Sequence, residues 1–555
     1  MNKPLLISLS VLSAFLWLLP GVFYAESFAH TKQSARDDYS NHAQTTQRLQ
    51  QLTNSFPNIT NLQSLAKTDG GKDIWLLTIG TGDIENKPAI AIVGGVTGTH
   101  LLGSEMVLQM AGKLLAGSGS AEIRNMLDSM SFYFFPDMSP DAREQYFRSL
   151  RYERLGNANP TDLDRDGRIG EDGYDDLNND GLITMMRIKD PTGQWMPHPD
   201  DERVMVKARP EKGERGMYLL YSEGIDNDKD GKFNEDGEEG VFFNKNFTFK
   251  YPHFTRGSGH HAVSEIETRA IADFLFEAKN VFAVLSFGEA NNLTKPLSYN
   301  EREASARIPT GWAENDITIN QMISHLYNKH LGDQAPKEAA GSDGDFFQWA
   351  YFHYGRHSFS TQGWTVPTPE KSDKESIASD ELNFLNWAEE KGLTDVFVPW
   401  TQVEHPDFPG RIVEVGGVKP HVMQNPPYTM VDSIAHKHFD FLLDVAALRP
   451  GIDLLNLKTE ALGRNLHRVT IDVVNPGALP TASGIGERLR WMQKTVLRAT
   501  PGENQTLISG KPVEVLGALS GRSSEERSWL VQGRGTFNLR VGSEASGFKT
   551  LSIDL

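Results

Sequence analysis

The chain of 555 residues contains no cysteine. That excludes disulfides and a lipid-bearing N-terminal cysteine, so an exported chain of this length would need another staple, and bound ions are the obvious one. Basic surface is scarce too: a formal charge of -18, with no concentrated basic patch, excludes nucleic acid as a partner. There is no Gly-rich phosphate loop and no Gly-x-Ser-x-Gly elbow, which removes two common catalytic frameworks. After the first 25 residues, no stretch is long and apolar enough to be a membrane helix.

What is present begins with an address. Lys3, an apolar run from Leu5 to Phe23 and Ala25 before Glu26 have the pattern of a signal peptide over residues 1–25. Pro20 and Gly21 break the run before it could span a bilayer, so the mature chain is expected to be secreted or periplasmic. Length then predicts two domains, 26–449 and 450–555. In the first, Asp73 to Ile79, Pro88 to Gly94 and Ser131 to Pro136 read as apolar strands, and Gly103 to Leu115 has helical apolar spacing. Strands alternating with helices predict an α/β fold: a mixed sheet with helices on both faces, its function on loops at strand ends.

Between residues 158 and 242 that pattern stops, and an acidic, Gly-rich insertion takes over with no core of its own expected. Asp162 to Gly173 reads DLDRDGRIGEDG and Asp226 to Gly237 reads DNDKDGKFNEDG, identical at seven of twelve positions. Between them lies a weaker copy, DLNNDGLIT, from Asp176 to Thr184. Oxygen ligands at alternate positions with Gly at the sixth suit a calcium loop. The predicted structural calcium ligands are Asp162, Asp164, Asp166 and Asp172 in the first copy. In the second they are Asp226, Asp228, Asp230 and Asp236. Here Asp172 and Asp236 replace the closing glutamate of an EF-hand, whose position Gly173 and Gly237 occupy; the middle copy is left open. After residue 450, short alternating strands such as His467 to Val474 and Phe537 to Val541 are separated by Asn-Pro-Gly, Pro-Gly and Ser-Gly turns, predicting a β-sandwich without a motif that carries chemistry.

Four segments in order resemble the zinc carboxypeptidase family of metallopeptidases: AIVGGVTGTHLLGSE (Ala91 to Glu105), VFFNKNF (Val241 to Phe247), VFAVLSFGEANNLTKP (Val281 to Pro296) and GDFFQWAYFHYGRHSFSTQGW (Gly344 to Trp364). The resemblance implies a zinc site built from a His, a Glu three residues later and a distant His, with one open position for water. This chain has Thr97, His100 and Gly288 there. The resemblance also implies a glutamate base thirteen residues after the Trp of a Trp-x-Tyr strand start. Here Trp349-Ala350-Tyr351 is followed by Gln362, and an amide cannot take a proton from water. Glu289 could ligate only after rearrangement, and Glu414 belongs to a different segment from the base strand. The carboxylate-gripping Asn-Arg becomes Asn244-Lys245, with Arg187 a second basic contact. Lysine keeps the charge but not the two-pronged geometry.

The first functional reading is therefore a secreted homologue that binds a peptide-like or carboxylate ligand without cleaving it, with zinc absent and calcium structural. A metallocarboxypeptidase working through an unorthodox site is the second, and a calcium-stiffened surface or scaffold protein with a vestigial cleft is the third.

Overall fold

The computed structural model describes residues 38–163, 165–238, 240–367 and 377–555. The expected signal peptide and Asp164 lie outside the described residues. At the centre is a six-stranded mixed sheet, ordered Thr60–Lys67, Asp73–Ile79, Ser131–Phe135, Ala89–Val93, Val281–Phe287 and His357–Thr361. The last four strands run parallel, and the first two form an antiparallel edge. Every residue of Ala89–Val93, Ser131–Phe135 and Val281–Phe287 is buried, as expected of parallel strands covered on both faces. Burying one phenylalanine such as Phe134 or Phe287 contributes roughly 1.5–3 kcal/mol, so this sheet is a rigid platform for the loops at its end.

Helices Leu101–Ala116, Glu314–Leu331 and Tyr428–Ala447 pack one face, and Ile266–Glu277 and Phe346–Phe352 the other. Trp349-Ala350-Tyr351 lies in the helix Phe346–Phe352 and does not start a strand; the strand begins at His357. Asp345 caps that helix by accepting from Gln348 N, and the packing of Trp349 and Tyr351 into the apolar cluster favours the helical turn over extension.

The insertion corrects one expectation, because it has a small core. Met185–Lys189 and Tyr218–Ser222 pair with each other and recruit Val413–Val418 and Phe397–Val403 from far along the chain. Met186, Ile188, Val413 and Val415 are buried together, with Leu177, Leu219, Tyr221 and Phe233 packed around them. This non-local pairing leaves no local periodic signal. The C-terminal region forms two four-stranded antiparallel sheets around Val469, Ile471, Trp529, Phe537 and Leu539. It is joined to the central region at buried Asp316, whose carboxylate accepts from Gly484 N at 2.9 Å, Ile485 N at 3.2 Å and Tyr351 OH at 2.7 Å.

Candidate functional site

The parallel strands end in three loops that bring the family-matched positions together. Thr97 follows Ala89–Val93, Gly288 follows Val281–Phe287, and Gln362 follows His357–Thr361. His100 occupies the N-terminal cap of Leu101–Ala116, and its buried ring donates from Nε2 to Gln362 O at 3.0 Å. Burial pushes the His100 imidazole down to about 4, so it is neutral at pH 7. The Phe287 backbone also faces the His100 ring, and the Thr97 hydroxyl has no hydrogen-bond partner among the described residues. Gln362 in turn donates from Nε2 to Glu289 O at 3.2 Å. Gly288 offers no side chain, and a Cβ there would stand 2.5 Å from Val96 Cγ2.

The single turn Phe243–Lys245 presents the basic position. Asn244 Oδ1 accepts from Phe346 N at 3.0 Å, which fixes the amide against the base of the helix. Lys245 Nζ lies 5.2 Å from the Phe242 ring centre and makes one long bond, 3.3 Å, to Arg256 O. Its charge acts on Glu289, whose carboxyl is nonetheless raised by desolvation. Arg187 is elsewhere: it sits in the insertion sheet opposite Glu414, donates to it at 2.9 Å and stacks on Trp400 at 4.4 Å. That ion pair engages Arg187 and Glu414 with each other across the two strands.

The acidic loops repeat one geometry three times. The first-position Asp accepts from the sixth-position Gly in each: Asp162 from Gly167 at 3.0 Å, Asp176 from Gly181 at 2.8 Å, Asp226 from Gly231 at 3.1 Å. The fifth-position Asp166, Asp180 and Asp230 each accept from the N–H two residues on. Fourth-position Arg165, Asn179 and Lys229 all adopt positive φ, a left-handed conformation that asparagine tolerates and that is less favourable for arginine and lysine. Asp172 and Asp236 do not close their own loops. Asp236 accepts from Leu163 N at 3.2 Å and Gly170 N at 3.0 Å in the first loop. Asp172 accepts from Asn227 N at 2.9 Å and Asn234 N at 2.6 Å in the second. The two positions are equivalent in the repeat, so each loop holds the other's backbone. For the middle loop the same clamp comes from buried Glu223, accepting from Leu177 N and Thr184 N, both at 2.9 Å.

Residues 45–366, more than half of the 555, match the model of the zinc carboxypeptidase family. The chain belongs to that family. Residues 451–554 match a domain of unknown function. Carboxypeptidase E of Caenorhabditis elegans is 27% identical over 153 residues, covering 26% of this chain and 32% of that protein. The zinc carboxypeptidase of Saccharothrix mutabilis subsp. capreolus is 28% identical over 134 residues, covering 23% and 31%. The matched stretches thus span about a third of these relatives. Among solved structures, the carboxypeptidase A of Helicoverpa armigera has a TM-score of 0.36 at 16% identity, covering 64% of this chain and 70% of that one. The mixed sheet with helices on both faces is the carboxypeptidase-like fold, carrying additional C-terminal β-sheets.

The family's zinc does not fit the residues in its positions. A hydroxyl, an imidazole already bonded to a backbone carbonyl and a glycine do not supply three ligands around an open coordination site. Among the described residues, the acidic and histidine groups close enough to share a metal lie in the insertion: Asp226, Asp228 and Asp230, and Asp166, Glu171 and Asp228. Glu171, at the tenth position of the first loop, joins one of these groups, a place the sequence pattern gives to the neighbouring Asp172. The shared Glu-Asp-Gly ending of the repeats was the available signal.

Proposed function

We propose that this is an exported zinc-carboxypeptidase-family protein that holds a peptide-like ligand by its C-terminal carboxylate in the former cleft and does not hydrolyse it. The observation that carries this reading is the contrast at the strand ends, where Thr97, His100, Gly288 and Gln362 supply neither a zinc site nor a base while Asn244 and Lys245 keep a carboxylate-binding pair. Lys245 has ammonium donors beyond its one long bond, and Asn244 is oriented by the helix that follows. Export rests on the apolar segment of residues 5–23, and among the described residues no helix is long and apolar enough to cross a membrane. The acidic loops support a structural role for calcium in the insertion, which favours the scaffold reading as a second function only if the cleft binds nothing.

A peptide with a free C-terminus should bind more than tenfold tighter than its amidated twin, since one charge-assisted contact is worth about 1.5–3 kcal/mol. Lys245→Ala should erase the preference, with no C-terminal residue released and no stoichiometric zinc in the dialysed protein. Equal binding of the two peptides would favour the vestigial cleft. Release of a C-terminal residue, or one tightly held zinc per chain, would overturn the non-catalytic assignment.

A further inference from the structure

The reciprocal clamps make the first and second acidic loops a single unit, and the carboxylates inside that unit are poorly satisfied. Asp226 and Glu235 are each only 9% exposed, yet Asp226 Oδ1 and both Glu235 oxygens have no hydrogen-bond partner among the described residues. Glu235 lies against Asp172 and Asp230, so a buried carboxylate faces two others. Both Glu171 oxygens are likewise buried and unpartnered, against Asp166. A buried carboxylate facing other carboxylates is costly unless a cation or a shared proton lies between them, and a cation present at neutral pH displaces that proton. Each of the two groups places three carboxylate oxygens within 4.8 Å of one another, and Asp228 belongs to both. The side-chain donors are oxygen alone, which suits a hard divalent ion and is unlike the nitrogen and sulfur sites of zinc. At the rim Lys232 pairs with one Asp230 oxygen from an exposed position, where exchange for an ion costs little.

The middle loop supplies an internal contrast. It has the same turn and the same clamp, but Asn178 replaces the third-position aspartate and donates from Nδ2 to Asp180 Oδ2 at 3.0 Å. Its tenth position is Met185. An amide N–H therefore sits beside the carboxylate where the second loop brings Asp228, and no glutamate occupies the tenth position.

We propose that the two outer loops form one two-ion calcium site in which Asp228 is a shared ligand and Glu171 and Glu235 complete the ligand sets, while the middle loop keeps the same turn without an ion. Resting on the calcium reading above, this adds coupling: each ion needs both loops. Asp172 and Asp236 are positioning residues that act across the unit, each shaping the loop to which it does not belong.

The test is calorimetric titration of the chelator-stripped full chain with calcium alone. The parent should bind two ions. Asp228→Asn should weaken both at least tenfold, and Asp236→Asn, a change in the second loop, should weaken the ion held by Asp166 and Glu171. Asp180→Asn in the middle loop should leave the stoichiometry at two. Glu171→Gln, at a less buried position, provides a second route if Asp228→Asn alters the circular dichroism of the stripped chain; it too should weaken both ions. No calcium uptake by the parent would remove the calcium reading and this proposal together. Two ions in the parent, with one keeping its full affinity in Asp228→Asn or Glu171→Gln, would leave calcium standing and overturn the coupling. Three ions would overturn the assignment of the middle loop.

Discussion

The strand ends of the central sheet and the acidic insertion treat polar side chains in opposite ways. At the strand ends the groups are neutral: His100 ties its ring to Gln362 O, Gln362 reaches Glu289 O, and Gly288 has no side chain beside Val96. In the insertion, carboxylates crowd together and several buried oxygens have no donor. A neutral hydroxyl or imidazole nitrogen left unpaired costs about 1–3 kcal/mol, and a buried carboxylate without a partner costs more. The comparison teaches that ligand chemistry is read from what remains electrostatically unmet, and among the described residues the acidic groups close enough to share a cation lie in the insertion.

Removing calcium should give the largest effect that separates the two regions. Occupancy about a hundredfold above the dissociation constant stabilises by roughly 3 kcal/mol per site, so a chelator should lower the melting temperature and open residues 158–242 to protease. An unchanged melt and digestion pattern would make the loops ion-free turns and dissolve the contrast.

Acid probes the cleft. His100 ionises near 4 in the fold because burial opposes its charge, against an ordinary value of 6.5. The unfolded chain therefore takes up the proton first, and the neutral ring's contribution is present above about pH 6.5 and lost as pH falls toward 4. The full loss below pH 4 is about 3 kcal/mol. His100→Gln, which retains an N–H for Gln362 O, should flatten that part of the stability curve measured by denaturant unfolding between pH 7 and 4. A curve identical to the parent's would mean that His100 is not the buried neutral group described.

A histidine restored at the glycine should not fit. Gly288→His brings Cβ to within 2.5 Å of Val96 Cγ2, and overpacking of this kind costs about 1–3 kcal/mol. Val96→Ala in the same chain should recover most of that loss in a chemical melt. Full stability of the single variant would show the strand end to be pliant, and with it the region's capacity to rebuild a metal site.

The smallest effect concerns the neighbours Lys245 and Glu289. Glu289→Gln removes a carboxylate that competes for the lysine's charge and should tighten a peptide carboxylate by about 0.2–1 kcal/mol. Weaker binding in that variant would mean that Glu289 contacts the ligand itself.

Much of the central fold was legible in the order of residues. Apolar runs such as DIWLLTI, with glycine and proline punctuation, mark strands Asp73–Ile79, Ala89–Val93 and Ser131–Phe135, because strands buried on both faces must be apolar along their length. That positions 97, 288 and 362 hold threonine, glycine and glutamine is equally plain from the sequence, since side-chain chemistry is a fact of composition. The helix at Trp349 was not, because a short aromatic stretch fits helix or strand equally until its packing surface is fixed.

The sequence by itself determined the chemistry available at each position: no cysteine, no base at Gln362, and a repeated pattern of aspartates with the glycine that their turn requires. Tertiary structure decided how those groups meet. It paired Arg187 with Glu414, which is 227 residues away, joined the insertion's strands to residues 397–418, and crossed Asp172 and Asp236 between the two outer loops. The physical reason is that a local turn depends on its own dihedral angles and hydrogen bonds, whereas a carboxylate's partner is whatever donor or charge the folded chain brings within about 3 Å of it.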